Sequence, residues 1–331
     1  MTTETARHAR LCPSITGWRP VIDGAMGGDK IVSAGKAATV GNEGKDVMAK
    51  QKIGVVGAGM MGSEIALTFA MAGHPTILTD SNAATRQGVL DRLEGLLDKA
   101  VARNLFDAAQ RQRCLENLAV VDSLEAYQER DLVIEAVFEQ EAVKKDTFAA
   151  LDAIAPADCI FASNTSTLPI SSLAAAVAPA RRKRFVGTHF FSPVHRMKLV
   201  EVIPAFETNP GVVDQVVVLC RAADKQPIRV KDVAGFAVNR VLHAFVIEAV
   251  RLVEEGVCTP EEVDKACELG LGHALGPFKL MDLVSNHLTL EVQEILQDAY
   301  GPRFMPRPLL KQKVAAGHDG RRAGQGWMTY D

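Results

Sequence analysis

The sequence predicts an α/β protein in which an N-terminal doubly wound, mostly parallel sheet is followed by an all-α C-terminal part. Three observations predict it. Short apolar runs of β character alternate with longer stretches of helical period from Lys52 to about Ile203. The first of these runs enters a Gly-x-Gly-x-x-Gly turn at Gly57. Beyond Gly235 strand signals nearly vanish, and helix starts such as Thr259-Pro260-Glu261-Glu262 take over, with threonine as cap and proline in the first turn. The chain therefore divides into an extension over residues 1–49, a sheet domain over 50–234 and a helical domain over 235–331.

Composition narrows the function classes. The 331 residues are 47% hydrophobic and 23% charged, with a formal charge of −3. That balance describes a globular chain with neither a nucleic-acid-binding nor an anionic-membrane surface. Cys12, Cys114, Cys159, Cys220, Cys258 and Cys267 are scattered without a CxxC pair, which reads as reduced thiols in a cytoplasmic compartment and argues against a zinc site. No apolar run reaches membrane-spanning length. The extension is rich in glycine and turn-formers and lacks an apolar period, so it is expected to be disordered. Glu4, Asp23, Asp29, Glu43 and Asp46 weigh against a transit peptide, and Met48 stands as an alternative start.

The elements follow in order. Ile53-Gly54-Val55-Val56 suits a buried parallel strand. It runs into Gly57-Ala58-Gly59-Met60-Met61-Gly62, and Glu64 to Ala72 continues at helical period. These glycines permit a tight turn, close backbone approach to a pyrophosphate, and tight helix–sheet packing, with the phosphates on the helix start. Pro75 to Asp80 is the second strand, and Asp80 lies 18 residues past Gly62, where a carboxylate binds a ribose diol and repels a 2′-phosphate. No arginine follows it directly, so NAD is favoured over NADP. Gly57, Gly59, Met60, Met61, Gly62 and Asp80 are the cofactor candidates. Residues 84–117 read as helix, Asp131–Val137 as strand and Cys159–Ser163 as strand ending in Asn164-Thr165-Ser166-Thr167. Phe185–Phe191 and Leu199–Ile203 are two more strands, and Phe236–Glu255, Pro260–Leu269, Phe278–Ala299 and Leu309–Ala316 are helices.

Ligands of such sheets gather at the carboxyl ends of the strands, and Ser163, Asn164, Ser166 and His189 fall there. His189 and Glu201 lie twelve residues apart on two β-rich runs. An imidazole can take a proton near neutral pH, and a buried carboxylate can orient it and stabilise the imidazolium. Each residue has a plainer reading. His189 could be a satisfied core histidine, Glu201 an exposed strand residue, Ser166 a turn cap and Asn239 a helix-surface residue. His195, six residues after His189, lacks the further ligands a metal would need. Arg181-Arg182-Lys183-Arg184 reads as a solvated loop, and Lys144 and Lys145 as solvent-facing helix residues.

From about Lys52 onward the chain resembles the L-3-hydroxyacyl-CoA dehydrogenases, especially the 3-hydroxybutyryl-CoA type. The resemblance rests on the glycine turn, Glu135-Ala136-Val137-Phe138-Glu139, Ser163-Asn164-Thr165-Ser166, Thr188-His189-Phe190-Phe191-Ser192-Pro193 through Ile203, and Gly235-Phe236-Ala237-Val238-Asn239-Arg240, in family order. It implies a Rossmann-like NAD-binding domain and a helical substrate and dimerisation domain. It further implies that His189 is the general base on the substrate's 3-hydroxyl and Glu201 its orienting partner, while the C3 hydrogen passes to nicotinamide. Ser166, Asn239 and Arg103 would contact an acyl-CoA thioester, Glu139 and Asn164 would border the cofactor, and a lysine near the helix of Lys144 and Lys145 would lie close to it. A homodimer is implied as well, and the reaction serves fatty acid metabolism such as β-oxidation, butyrate-type fermentation and storage-polymer metabolism alike.

Some positions depart from the family pattern. Ser192 replaces an asparagine, Leu96 falls where a polar contact to coenzyme A is usual, Arg103 replaces a lysine, and Ser285-Asn286-His287 replaces Gly-Leu-Asp. Two rival functions remain: a dehydrogenase of a free hydroxy acid or sugar acid on the same scaffold, and a non-catalytic NAD-binding structural protein.

Overall fold

The structure is a computed structural model, and it describes residues 50–330 except Leu105. The expected disorder of residues 1–49, and Cys12 with it, lies outside the described residues.

The sheet half contains β1 (Ile53–Val56), α1 (Met60–Met71), β2 (Thr76–Thr79), α2 (Ala83–Ala102), α3 (Ala108–Glu116), β3 (Leu118–Val120), β4 (Leu132–Glu135), α4 (Glu141–Asp152), β5 (Ile160–Ser163), α5 (Ile170–Ala174), α6 (Pro179–Arg182), β6 (Phe185–Phe190), β7 (Leu199–Pro204), α7 (Pro210–Ala222) and β8 (Gln226–Arg229). The helical half contains α8 (Val238–Glu254), α9 (Pro260–Gly270), α10 (Pro277–Val284), α11 (Asn286–Tyr300) and α12 (Pro308–Ala315). The strands form one eight-stranded sheet in the order β3-β2-β1-β4-β5-β6-β7-β8. The strands from β3 to β6 run parallel; β7 is antiparallel to β6, and β8 runs parallel to β7.

β1 is a fully buried apolar run, and β4 and β5 are apolar up to their last residues, Glu135 and Ser163, as suits strands covered on both faces. One apolar cluster packs α1, α2 and α7 against one face through Ile65, Phe69, Leu93, Leu97 and Val216; a second packs α4 and α5 against the other through Phe148, Leu151, Ile170 and Leu173. The helical half has its own core around Val246, Val250, Phe278, Met281 and Trp327.

Several expectations need correction. The helix read over 84–117 is two helices. Asp107 restarts the second with a capping box, its side chain accepting from Gln110 N while Gln110 reaches back to Asp107 N. The helix read over 278–299 breaks at Ser285, whose φ of 141° no helix accommodates. The short strands β3 and β8 and the helix α7 carried signals too weak to place. Arg181 is not a solvated loop residue. It is buried, and its guanidinium pairs with Asp152 at 2.9 Å and donates to the carbonyls of Ala155, Pro156 and Cys159. Lys144 is likewise buried rather than solvent-facing.

Candidate active site

The glycine turn joins β1 to α1, and each glycine stands there for a different reason. Gly57 has φ +102°, and a Cβ on it would come within 2.5 Å of the Ala136 carbonyl oxygen. A Cβ on Gly62 would lie 1.8 Å from the Gly57 carbonyl oxygen, so only hydrogen fits between helix and strand. A Cβ on Gly59 would meet nothing within 4 Å, so this position faces open space. Helix α1 begins there with no side-chain cap and no acidic residue in its first turn. Its unpaired N–H groups and positive dipole end suit a pyrophosphate. At the end of β2, Asp80 Oδ2 accepts from Ala58 N at 2.8 Å and Oδ1 from Asn82 N at 2.9 Å, which fixes the carboxylate beside the turn. An open glycine, an uncapped helix start and a carboxylate at the end of the second strand fit NAD.

The second half of the site lies at the ends of β5, β6 and β7. Because β7 runs antiparallel to β6, His189 near the end of one strand pairs directly with Glu201 near the start of the other. His189 Nδ1 lies 2.7 Å from Glu201 Oε2, and the glutamate side chain is fully buried. Glu201 Oε1 accepts from Ala237 N at 2.9 Å and Val238 N at 3.0 Å, at the start of α8. Burial alone would push the Glu201 carboxyl up. The bond to His189 and the two backbone donors outweigh it and hold the group below its ordinary value. Glu201 is therefore a carboxylate at neutral pH and can only accept, which assigns the proton on a neutral ring to Nδ1 and leaves Nε2 as the basic nitrogen. Nε2 sits 3.1 Å from Ser166 Oγ. Asn239 Nδ2 donates to the Ser166 carbonyl at 3.4 Å, so the helical half reaches the same point.

The loop carrying Ser166 hangs from Glu139. Its Oε1 accepts from Ser166 N at 2.7 Å, Thr167 N at 3.0 Å and Thr165 Oγ1 at 2.5 Å. Lys144 Nζ bridges Glu139 at 3.2 Å and the buried Glu135 at 2.7 Å. Burial would raise the Glu139 carboxyl, but Lys144 and these donors bring it below the ordinary range. Asn164 Oδ1 accepts from Phe190 N at 2.9 Å and so joins the end of β5 to the residue after His189.

Glu139, Asn164, Ser166, His189, Glu201 and Asn239 thus come together, and Gly57, Gly59, Met60, Met61, Gly62 and Asp80 form the adjoining turn. Met60 is half exposed, and Ser192 Oγ donates to its sulfur at 3.8 Å, which links the two parts. Arg103 stands apart. It caps the end of α2, is exposed, and forms no hydrogen bond or ion pair with the other site residues. Leu96 packs against the apolar core. Sequence reasoning missed Glu135 and Lys144 as a buried pair, and also the contact of His195 Nδ1 with Glu64 at 3.0 Å, which straps the loop after β6 to α1. A carboxylate ending the apolar run Leu132–Glu135 was the available signal for the first; the second had none.

Comparison with known proteins gives the family. Residues 52–233 match the profile of the 3-hydroxyacyl-CoA dehydrogenase NAD binding domain, and residues 235–330 match that family's C-terminal domain. A probable 3-hydroxybutyryl-CoA dehydrogenase of Bacillus subtilis (strain 168) is 36% identical over 285 residues, covering 86% of this chain and 99% of that one. The mitochondrial hydroxyacyl-coenzyme A dehydrogenase of Homo sapiens is 36% identical over 306 residues, covering 90% and 96%. The crystal structure of (S)-3-hydroxybutyryl-CoA dehydrogenase from Ralstonia eutropha superposes with a TM-score of 0.82 at 34% identity, covering 86% and 100%. The chain therefore belongs to the 3-hydroxyacyl-CoA dehydrogenase family and is an NAD-dependent oxidoreductase.

Proposed function

We propose that the protein oxidises short-chain L-3-hydroxyacyl-CoA thioesters such as 3-hydroxybutyryl-CoA to 3-oxoacyl-CoA, reversibly, with His189 as base and Glu201 as its partner. The observation that carries this reading is the 2.7 Å contact between His189 Nδ1 and a fully buried carboxylate, with Nε2 left facing Ser166. The substrate 3-hydroxyl would enter beside Nε2, within hydrogen-bond reach of both Nε2 and Ser166 Oγ. Nε2 takes the hydroxyl proton, and the Glu201 carboxylate stabilises the imidazolium that results. In the reverse direction the same imidazolium returns the proton to the forming alkoxide. Bound NAD supplies the acceptor for the hydrogen on C3. Ser166 and Asn239 orient the reacting oxygen and the neighbouring thioester, and Glu139 holds the loop that presents Ser166. Base catalysis of this kind contributes about two to four decades of rate.

Relatives named 3-hydroxybutyryl-CoA dehydrogenase support the short acyl chain. Division near Gly235 into a cofactor domain and a substrate domain belongs to the same reading, as does a homodimer formed through the helical half, where Val241, Leu269 and Leu271 are exposed. The test is NADH oxidation with acetoacetyl-CoA beside free acetoacetate, for the native enzyme and His189→Gln. Turnover confined to the thioester, and lost in the variant while NADH still binds, is the expected result. Equal rates with the free acid would overturn the substrate, and a near-native rate for the variant would overturn the base.

A further inference from the structure

We infer that Arg92 is a positioning residue for the cofactor's pyrophosphate, bracing the glycine turn from α2 and adding a fixed positive charge to it. The inference rests on the family's use of NAD and concerns a residue outside the glycine motif. Arg92 Nη2 donates to the carbonyls of Ala58 at 3.0 Å and Gly59 at 3.2 Å, and to Ser63 Oγ at 2.5 Å. Ser63 Oγ in turn donates to the Gly59 carbonyl at 2.7 Å. The two carbonyls belong to the peptide units whose N–H groups are those of Gly59 and Met60, at the mouth of α1 where Gly59 faces open space.

Two physical effects follow. A cation hydrogen-bonded to the carbonyl of a peptide unit polarises it, so the N–H at its other end becomes a stronger donor. The guanidinium also adds a full charge to the partial positive charge of the helix start. Among the described residues no carboxylate forms an ion pair with Arg92; Asp80, the carboxylate beside the turn, bonds Ala58 N instead. A single guanidinium nitrogen, Nη2, reaches the two carbonyls and the hydroxyl, so a lysine ammonium placed there keeps the charge and part of the bonding. Both effects act on phosphate and leave the nicotinamide end untouched.

The experiment compares native enzyme with Arg92→Met and Arg92→Lys, measuring the dissociation constant of NADH, with ADP-ribose and adenosine as competing ligands. The expected result is a loss of about tenfold for NADH in R92M, the scale of a hydrogen bond from a charged group. ADP-ribose, which carries the pyrophosphate, should lose as much; adenosine, which lacks it, should bind unchanged. R92K should recover part of the loss, and the defect should fall on KM for NADH rather than on kcat. Native affinity for NADH in R92M would overturn the inference, and so would equal losses for all three ligands, which would indicate a general distortion of the fold. Failure of the native enzyme itself to bind NADH would instead sink the cofactor reading on which this one rests.

Discussion

Ser285 has φ 141° and ψ 134°, a region that side-chain-bearing residues rarely adopt, at the junction of α10 and α11. Such a conformation costs about 1–3 kcal/mol and is nearly free for glycine. Against this, Ser285 Oγ caps Leu288 N at 3.1 Å and donates to Asp319 at 2.7 Å. Exchange of a serine cap for glycine costs a few tenths of a kcal/mol, and the second bond, to a carboxylate, contributes about 1.5 kcal/mol, so only the upper part of that strain exceeds them. Asp319 would still accept from His287 N. At that upper end the strain outweighs the two bonds, so Ser285→Gly should raise stability by up to about 1 kcal/mol, read as a higher urea midpoint at unchanged slope. A lower midpoint would mean that the hydrogen bonds prevail over the strain. The run Phe278–Ala299 gave no hint of this break, because its apolar period continues through it and the kink is a property of one backbone torsion.

At the scale of elements, α4 shows how far charge patterning can mislead. Lys144 and Lys145 are adjacent, and Lys145 pairs with Glu141 on the half-exposed face, as helix spacing suggests. One residue earlier the side chain points inward, where Glu135 waits at the end of β4 and Ser163 at the end of β5. Burial pushes the Glu135 carboxyl up, and Lys144 is the main group opposing it. Lys144→Met would leave that carboxylate buried without its cation, a change worth about 3–5 kcal/mol. We expect a loss of roughly 3 kcal/mol in denaturant titration, and a smaller one when Glu135→Gln is added, because removing both charges leaves neither stranded. A loss below about 1 kcal/mol in the single variant would show that the pair is not ionic. The same limit applies to Arg181, whose partners Asp152, Pro156 and Cys159 are remote in sequence. Burial of a charge is decided by such partners, and a single sequence does not display them. The strands and glycine turn were legible because their signals are local: continuous apolar runs, and glycines at fixed spacing ahead of a helix. His189 and Glu201 were legible as candidates, but their contact depends on β7 running antiparallel, which no local signal announced.

Across the whole molecule, acid stability depends on groups in both halves. His243, on α8, is buried and held neutral by desolvation, with its pKa lowered from 6.5 to about 4. The unfolded chain binds this proton first as pH falls, so stability declines between pH 6.5 and about 4, by at most about 3 kcal/mol. Below that range both states are protonated and the decline from this residue ends. His243→Leu should flatten the stability curve in that interval, measured by urea unfolding at several pH values. An unchanged slope would mean that His243 is protonated in the folded state. Glu201 acts in the opposite sense and lower on the scale: its depressed pKa gives stability that is present above the unfolded carboxylate value and lost as pH falls through the folded one.

Glu201 has one further consequence, because its two oxygens have separate owners. One holds the imidazole on β6, and the other holds the first two N–H groups entering α8. A swing of the helices away from the sheet must pull on this single carboxylate from both sides, and it cannot follow both. With His189 as the proposed base, access and reactivity would be interlocked: an opening of the helices would loosen the grip on that base, and their return would restore it.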